Sequence, residues 1–453
     1  MSRKVATALV ALALMIMAGA PARAAASETG AGHTDLSSLP KIEAYLNSIG
    51  IDPGSVVVQQ GQFNYAGPNC PGAGWNCTTA NRVVQLTPAT LPAANIVDCS
   101  PAVSVTLLGV DECVIVQSSV LDVAETASTL NGASCDIDGS SGKQRCKIRQ
   151  QSKKGSNHAQ INQRTNQRGG SPQFAKQEAT IDQTSETGNN TAKITQTIAQ
   201  DLKTKSTTEV TQQQDACQYA KVNQASTMGG SSSSDVQQSQ FQSEEADSSG
   251  DIDQFQNTAA CQFSDILVVG RNATADVMQN NPTTATGNLT SSLRQLIKQD
   301  QVADSPAGTV SQIQSNSASG GLKGDVTQST TDPGVIRSTS TQDETQTQDA
   351  DTEGTVTQLQ EGPEFCCAEQ MGGTEANENT VTQSNVQNQT PGSGTSNQST
   401  FQQGFCSETV VGATCTVTQI YTANGEGEPQ SATGMTVNCS RGGEGDFCFG
   451  GVD

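Results

Sequence analysis

The feature that most constrains this chain is a recurring phrase: a β-branched residue, one polar residue, then Gln. It reads Ile161-Asn162-Gln163, Ile181-Asp182-Gln183, Ile194-Thr195-Gln196, Val222-Asn223-Gln224 and Ile252-Asp253-Gln254. It returns as Val310-Ser311-Gln312, Val326-Thr327-Gln328, Val356-Thr357-Gln358, Val381-Thr382-Gln383 and Val417-Thr418-Gln419. A phrase repeated through most of a polypeptide signals stacked copies of one structural unit. On a strand the aliphatic residue and the Gln share one face and the polar residue between them points outward. On a helix the two would stand about 200° apart and share no face. The phrase reads as strand.

An inward Gln needs partners, because burying an unpaired amide costs roughly 2–7 kcal/mol. Stacked coils supply them: each amide donates to one neighbour and accepts from the other, as in amide ladders with a repeat of about 4.8 Å. The predicted ladder comprises Gln163, Gln183, Gln196, Gln212, Gln224, Gln254, Gln312, Gln328, Gln358, Gln383 and Gln419. Gaps of 12 or 13 residues (Gln183 to Gln196, Gln212 to Gln224) alternate with gaps of 25 (Gln358 to Gln383). Two half-units of one strand and one turn then predict a coil of roughly 25 residues. The fold class expected is all-β: a β-solenoid of stacked strand–turn units with internal Gln and Asn ladders, a short N-terminal capping helix and disulfide-stapled turns.

Composition agrees. Hydrophobic residues make up 33% of the 453 and aromatic residues 3%, too few for one large apolar core. The net charge of −21 disfavours nucleic acid and anionic membrane surfaces as partners, since both reward Lys and Arg.

Arg3 and Lys4, the short apolar run Val5 to Met17, and Ala22-Arg23-Ala24 have the form of a cleavable secretory signal. Residues 1–24 are predicted to be a signal peptide and the protein to be secreted, extracellular or at the cell surface. No later stretch reaches the roughly 20 apolar residues of a spanning helix, so no transmembrane segment is expected. Residues 25–50 form a polar leader and a helix in which Leu36, Leu39, Ile42, Leu46 and Ile49 recur at helical steps. Such a helix before a repeat array is expected to cap the open end of the core; docking of a partner is the alternative.

Residues 51–150 read as a Cys-bearing N-terminal β region, with strands at Val56–Val58, Val83-Val84, Val103–Val105 and Val114–Val116. Residues 151–421 read as the Gln-repeat solenoid and 422–453 as a Gly-rich, disulfide-looped cap. Fourteen cysteines in an exported chain point to disulfides. Sequence proximity matches Cys70 with Cys77, Cys99 with Cys113, Cys135 with Cys146, and Cys439 with Cys448. Zinc is the weaker reading, because these pairs lack C-x-x-C spacing and the only histidines are His33 and His158. Connectivity stays open, above all for Cys217, Cys261, Cys366, Cys367, Cys406 and Cys415. Cys217 and Cys261 sit in matched segments, Ala-Cys-Gln-aromatic, that suit equivalent positions in different coils. Trp75, inside the Cys70–Cys77 loop, is expected to cover a local mini-core rather than bind sugar. Gly442–Asp446 resembles a calcium-binding nonapeptide once and out of register, and is read as a terminal staple; no cofactor or metal is assigned.

Asn157-His158-Ala159 leading to Gln163, and Gly188-Asn189-Asn190-Thr191-Ala192 leading to Gln196, follow a Gly, Asn, Ala, Gln order. Ser206 to Gln212 supplies a similar first strand. This pattern resembles the curlin repeat of bacterial curli fibres. The resemblance is best between about 150 and 260, and implies a secreted β-solenoid able to polymerise into adhesive extracellular fibres.

Three function classes follow. The first is a non-enzymatic structural or adhesive solenoid of a surface coat, matrix or fibre, with self-association into fibres or layers. A disordered Gln-rich stalk is its rival, opposed by the strict alternation and the cysteines. The second is a face that binds ice, mineral or glycan through outward threonines at Thr355/Thr357, Thr380/Thr382 and Thr416/Thr418, resembling ice-binding solenoids. The third, an enzyme, lacks clustered acids and recognisable catalytic motifs, so no catalytic residue is assigned.

Overall fold

The computed structural model describes residues 38–452 apart from several stretches, the longest being 100–110, 121–128 and 270–288. The signal peptide, the strand expected at 103–105 and the Gly442–Asp446 segment lie outside the described residues. Among the described residues, one α-helix, α1 (Leu39–Ser48), is followed by 25 strands.

The strands alternate between two sheets. The first begins with β1 (Val57–Gln60), β4 (Arg82–Thr87), β6 (Asp111–Val120), β8 (Ser141–Ser152), β10 (Gln173–Ser185) and β12 (Val210–Ser226). Beside β12 lie β14 (Ile252–Asn257) and β15 (Gln262–Val269), one rung broken in two. The next rung is likewise split into β17 (Val310–Ser315) and β18 (Leu322–Ser329), followed by β20 (Val356–Met371), β22 (Gly394–Glu408) and β25 (Phe447–Val452). The second sheet runs from β3 (Asn76–Thr78) and β2 (Phe63–Ala66) through β5 (Ala93–Cys99), β7 (Thr129–Asp138), β9 (Asn157–Arg168) and β11 (Asn190–Ser206). It continues through β13 (Ser232–Ser248), β16 (Leu289–Asp304), β19 (Ile336–Asp351), β21 (Glu378–Thr390), β23 (Thr414–Gly425) and β24 (Ser431–Ser440). All pairings are parallel except β22–β25 and β23–β24. This is the predicted all-β solenoid. Both sheets run unbroken through residue 150, so 51–150 and 151–421 share one pair of sheets. Among the described residues, no helix is long and apolar enough to cross a membrane.

The alternation expected of the phrase holds: along its whole length β13 alternates buried residues with exposed or half-buried ones. Ile161, Ile194, Val236 and Leu293 stack in register and face the interior, as do Ile148, Ile181 and Val222 opposite them. Each coil contributes one or two aliphatic side chains to a thin core, which is why 33% apolar residues suffice.

The coil is longer than the predicted 25 residues. In-register glutamines are separated by 26 residues at the N-terminus, then 33, then 41 and 42, and 57 or 58 across the longest insertion. The short gaps have other meanings. Gln183 and Gln196 lie on β10 and β11, in opposite sheets, whereas Gln212 and Gln224 lie in the same strand, β12. Gln358 and Gln383, 25 apart, are in different sheets.

Turns stack as tightly as strands. Ser152 Oγ donates to the Gly155 carbonyl and Ser185 Oγ to the Gly188 carbonyl, both at 2.6 Å. A Cβ at Gly188 would land inside the Gly155 carbonyl of the coil below. Glycine is required there by close approach of two backbones.

α1 does not cap the end of the core. Ile42 and Leu46 pack with Ile51 on Val84, Val114 and Val116. Those valines alternate with the inward Gln85, Ile115 and Gln117, so the helix lies on the outer face of the first sheet. Arg145 Nη1 donates to the Ile49 carbonyl at 3.3 Å, and the Lys147 ammonium sits 4.7 Å from the centre of the Tyr45 ring.

The ends are finished differently. At the N-terminal end the edge strands are short, four residues in β1 and three in β3. There Trp75 covers Phe63 and Tyr65, at ring distances of 5.5 and 6.5 Å, as expected of a mini-core. At the other end both sheets close with an antiparallel strand.

Candidate functional site

The interior amides are the most organised chemistry in the molecule. In the second sheet, Gln163, Gln196, Gln238, Gln295, Gln342, Gln383 and Gln419 form one ladder, each Nε2 donating to the preceding Oε1 at 2.7–3.0 Å. Gln167, Gln200, Gln242, Gln299, Gln346 and Gln387 form a second beside it. In the first sheet, Gln150, Gln183 and Gln224 form one ladder and Gln212, Gln254, Gln312 and Gln358 another. Gln328 is in register between Val268 and Gln370. Asn64, Asn95 and Asn131 continue the theme near the N-terminus.

The second amide proton goes across the core. Gln196 Nε2 donates to the Tyr219 carbonyl at 3.0 Å, Gln183 to Thr191 at 2.8 Å, and Gln254 to Val302 at 3.0 Å. A carbonyl already engaged in its own sheet keeps a second lone pair. The glutamines use it to tie the two sheets together, a role the sequence reading did not foresee. Each ladder donates in one direction, and at two of the ends the acceptor goes unmatched: Oε1 of Gln224 and Oε1 of Gln419 have no partner. Their in-register neighbours are Val268 and Met435.

Members without the phrase escaped the sequence reading. Gln295 follows Leu293, and Gln342 follows Ser340. Gln200 and Gln242 lie four residues beyond a ladder Gln on the same face, and that even spacing was the available signal.

Two acids are tuned by the fold. Glu244 is in register with Leu202 and Gln301, and Gln301 Nε2 donates to its Oε2 at 2.9 Å. Burial, with Asp215 nearby, pushes its pKa to about 8. Burial also opposes ionisation of Glu178, but Arg145 at 2.5 Å and Lys176 at 2.6 Å hold its carboxyl below the usual range.

Cys70 pairs with Cys77, as proximity predicted. The matches of Cys99 with Cys113 and of Cys135 with Cys146 fail: Cys113 joins Cys135 across the core, leaving Cys99 and Cys146 as buried thiols. Twenty-two residues of chain bring opposite strands together, so neighbours in sequence are not neighbours in the coil. Cys217 is also disulfide-bonded, to a partner outside the described residues. Its segment is equivalent to that of Cys261, because β12 pairs with β15 at Gln218–Gln262 and Tyr219–Phe263. Cys439 lies opposite Cys415 in one sheet and Cys448 opposite Cys406 in the other; the side chains of the expected Cys439–Cys448 pair lie outside the described residues.

Outward threonines gather in one place. Thr339/Thr341, Thr380/Thr382 and Thr416/Thr418 form three in-register ranks on β19, β21 and β23. Thr357, expected in that array, belongs to the other sheet. Earlier ranks of the same columns carry Lys193, Asp235 and Ser292, and Thr195, Gln237 and Arg294. Comparison with known proteins finds no matching family model, no matching curated protein and no matching solved structure.

Proposed function

We propose that the protein is a non-enzymatic structural solenoid of an extracellular surface coat or matrix, an adhesive element of the same design as the curlin repeat. The observation that carries this reading is the amide ladder that runs from Gln163 to Gln419 through the second sheet. Nearly every coil spends its interior on holding its neighbours, and the outer faces carry mixed charges such as Lys203 with Glu245 and Lys205 with Asp247. The two finished ends favour a rod of set length over an open-ended fibre, because an antiparallel strand breaks the parallel template. Self-association then proceeds side to side, into layers.

The test is assembly of the purified protein with and without reductant, followed by electron microscopy and fibre diffraction. Twelve strands in the second sheet at about 4.8 Å each predict rods about 50 Å long that stay that length as concentration rises and adhere to isolated cell envelopes. Indefinite fibres would replace the rod with a polymer. Turnover of a polysaccharide panel would remove the non-enzymatic reading.

The three threonine ranks favour a second reading, a face that binds an ordered solid such as ice, mineral or packed glycan. β-branched Thr is stiff at χ1, so the six side chains make a rigid grid of about 4.8 by 6.8 Å. Recrystallisation inhibition that is lost in Thr382→Tyr supports it; equal activity of the two proteins rejects it.

A further inference from the structure

Four buried cysteines lie on four successive strands: Cys99 on β5, Cys113 on β6, Cys135 on β7 and Cys146 on β8. Cys99 is in register with Cys135 in the second sheet, and Cys146 is in register with Ile115, two residues along from Cys113, in the first. The sulfurs of Cys99, Cys113 and Cys135 all lie within 4.8 Å of one another. A thiol beside a disulfide at that distance is the starting arrangement for exchange.

We propose that this cluster is a thiol–disulfide exchange site with two oxidation states, in which Cys113 changes partner from Cys135 to Cys99. The Cys99 thiolate attacks Cys113 Sγ, the Cys113–Cys135 bond breaks, and Cys135 leaves as a thiolate that takes up the proton Cys99 gave away. This step is redox-neutral. Cys135 and Cys146 then lose two electrons and two protons to a small-molecule disulfide, which is reduced to two thiols, and form a second bridge. Cys99 and Cys146 also lie close enough to interact electrostatically, so their direct pairing is the competing route. The one-disulfide state clamps β6 to β7. The two-disulfide state clamps β5 to β6 and β7 to β8. Burial, aided by Asp98, holds the Cys99 thiol at about 12, which keeps exchange slow in the closed coils.

The experiment is disulfide mapping of the full chain at pH 9 in mild urea, before and after excess oxidised glutathione, with alkylation of free thiols under denaturing conditions. Before oxidation, label is expected on Cys99 and Cys146. Afterwards it is expected on neither, with Cys99–Cys113 and Cys135–Cys146 peptides replacing Cys113–Cys135. In Cys99→Ser, Cys113–Cys135 should persist and Cys146 should stay free; in Cys146→Ser, oxidation should stop at one bridge. A Cys99–Cys146 peptide, a second bridge in Cys99→Ser, an unchanged wild-type map, or a stoichiometric metal ion held by these thiols in the isolated protein would each overturn the proposal.

Discussion

Gln196 and Gln163, 33 residues apart, share one hydrogen bond of 2.7 Å from Nε2 to Oε1, and the Gln196 amide also donates to the Tyr219 carbonyl of the facing sheet. One side chain therefore joins two coils and two sheets. Removing such a residue leaves unmatched polar groups on both sides.

That arrangement predicts a position-dependent cost. Gln238 sits between Gln196 and Gln295 in the ladder, so Gln238→Leu orphans an acceptor below and a donor above. Each buried orphan costs about 1–3 kcal/mol, and a loss of roughly 2–5 kcal/mol in urea unfolding is expected. Gln419 donates to Gln383 but its own Oε1 has no partner. Gln419→Leu should cost less than Gln238→Leu, and equal costs would argue against ladder bonding as the source.

Glu244 predicts a pH dependence. Its folded pKa of about 8 stands above its ordinary value of 4.5. The folded state keeps the proton that the unfolded state releases, so its contribution is full below about pH 4.5 and is lost as pH rises through 8. Glu244→Gln removes the titration and should be the more stable protein at pH 8–9 by a few kcal/mol, the two curves meeting near pH 4. Parallel curves across that range would mean Glu244 does not titrate this way.

Gly188→Ala should destabilise strongly, because a Cβ there meets the Gly155 carbonyl. Gly132→Ala is the control, since a Cβ at Gly132 has nothing within 4 Å. Overpacking of this kind costs about 1–3 kcal/mol or more. Thermal unfolding of the two variants side by side should show a large drop for the first and little change for the second.

Much of this architecture was legible because a strand has a period of two. Ile194-Thr195-Gln196 states which side chains face inward, and an inward Gln requires a ladder. Coil length was not legible in the same way. Strands such as β12 are 17 residues long, long enough to hold two glutamines 12 apart, so a gap between phrases does not say whether the chain has turned. The helix shows the other limit. Periodicity reveals that Ile42 and Leu46 need cover without saying which surface supplies it. The clue lay in Val83-Val84-Gln85 and Val114-Ile115-Val116, where aliphatic residues occupy both faces and so mark a sheet covered on both sides.

The placement of α1 predicts a separable defect. Leu46→Ala should cost about 2–5 kcal/mol and expose Val84, Val114 and Val116. Hydrogen exchange should show faster opening of β4 and β6 while β13 and β16 stay protected. Uniform loss of protection along the stack would contradict a helix that covers only an outer patch.

Gln240 predicts a gain. It is fully buried two residues from Gln238 on the same face, but its in-register neighbours are Ile198 and Ile297. Neither Oε1 nor Nε2 of Gln240 has a hydrogen-bond partner. Its amide bears the desolvation cost with none of the compensation that Gln238 receives one position away. Gln240→Leu keeps a comparable volume, removes two orphaned groups and adds apolar contact with both isoleucines, so stability should rise by about 1–3 kcal/mol. Urea unfolding of Gln238→Leu and Gln240→Leu should therefore move in opposite directions. A loss in both would show that amides in this interior act by shape alone, because the two substitutions differ chiefly in whether the neighbouring coils offer an amide.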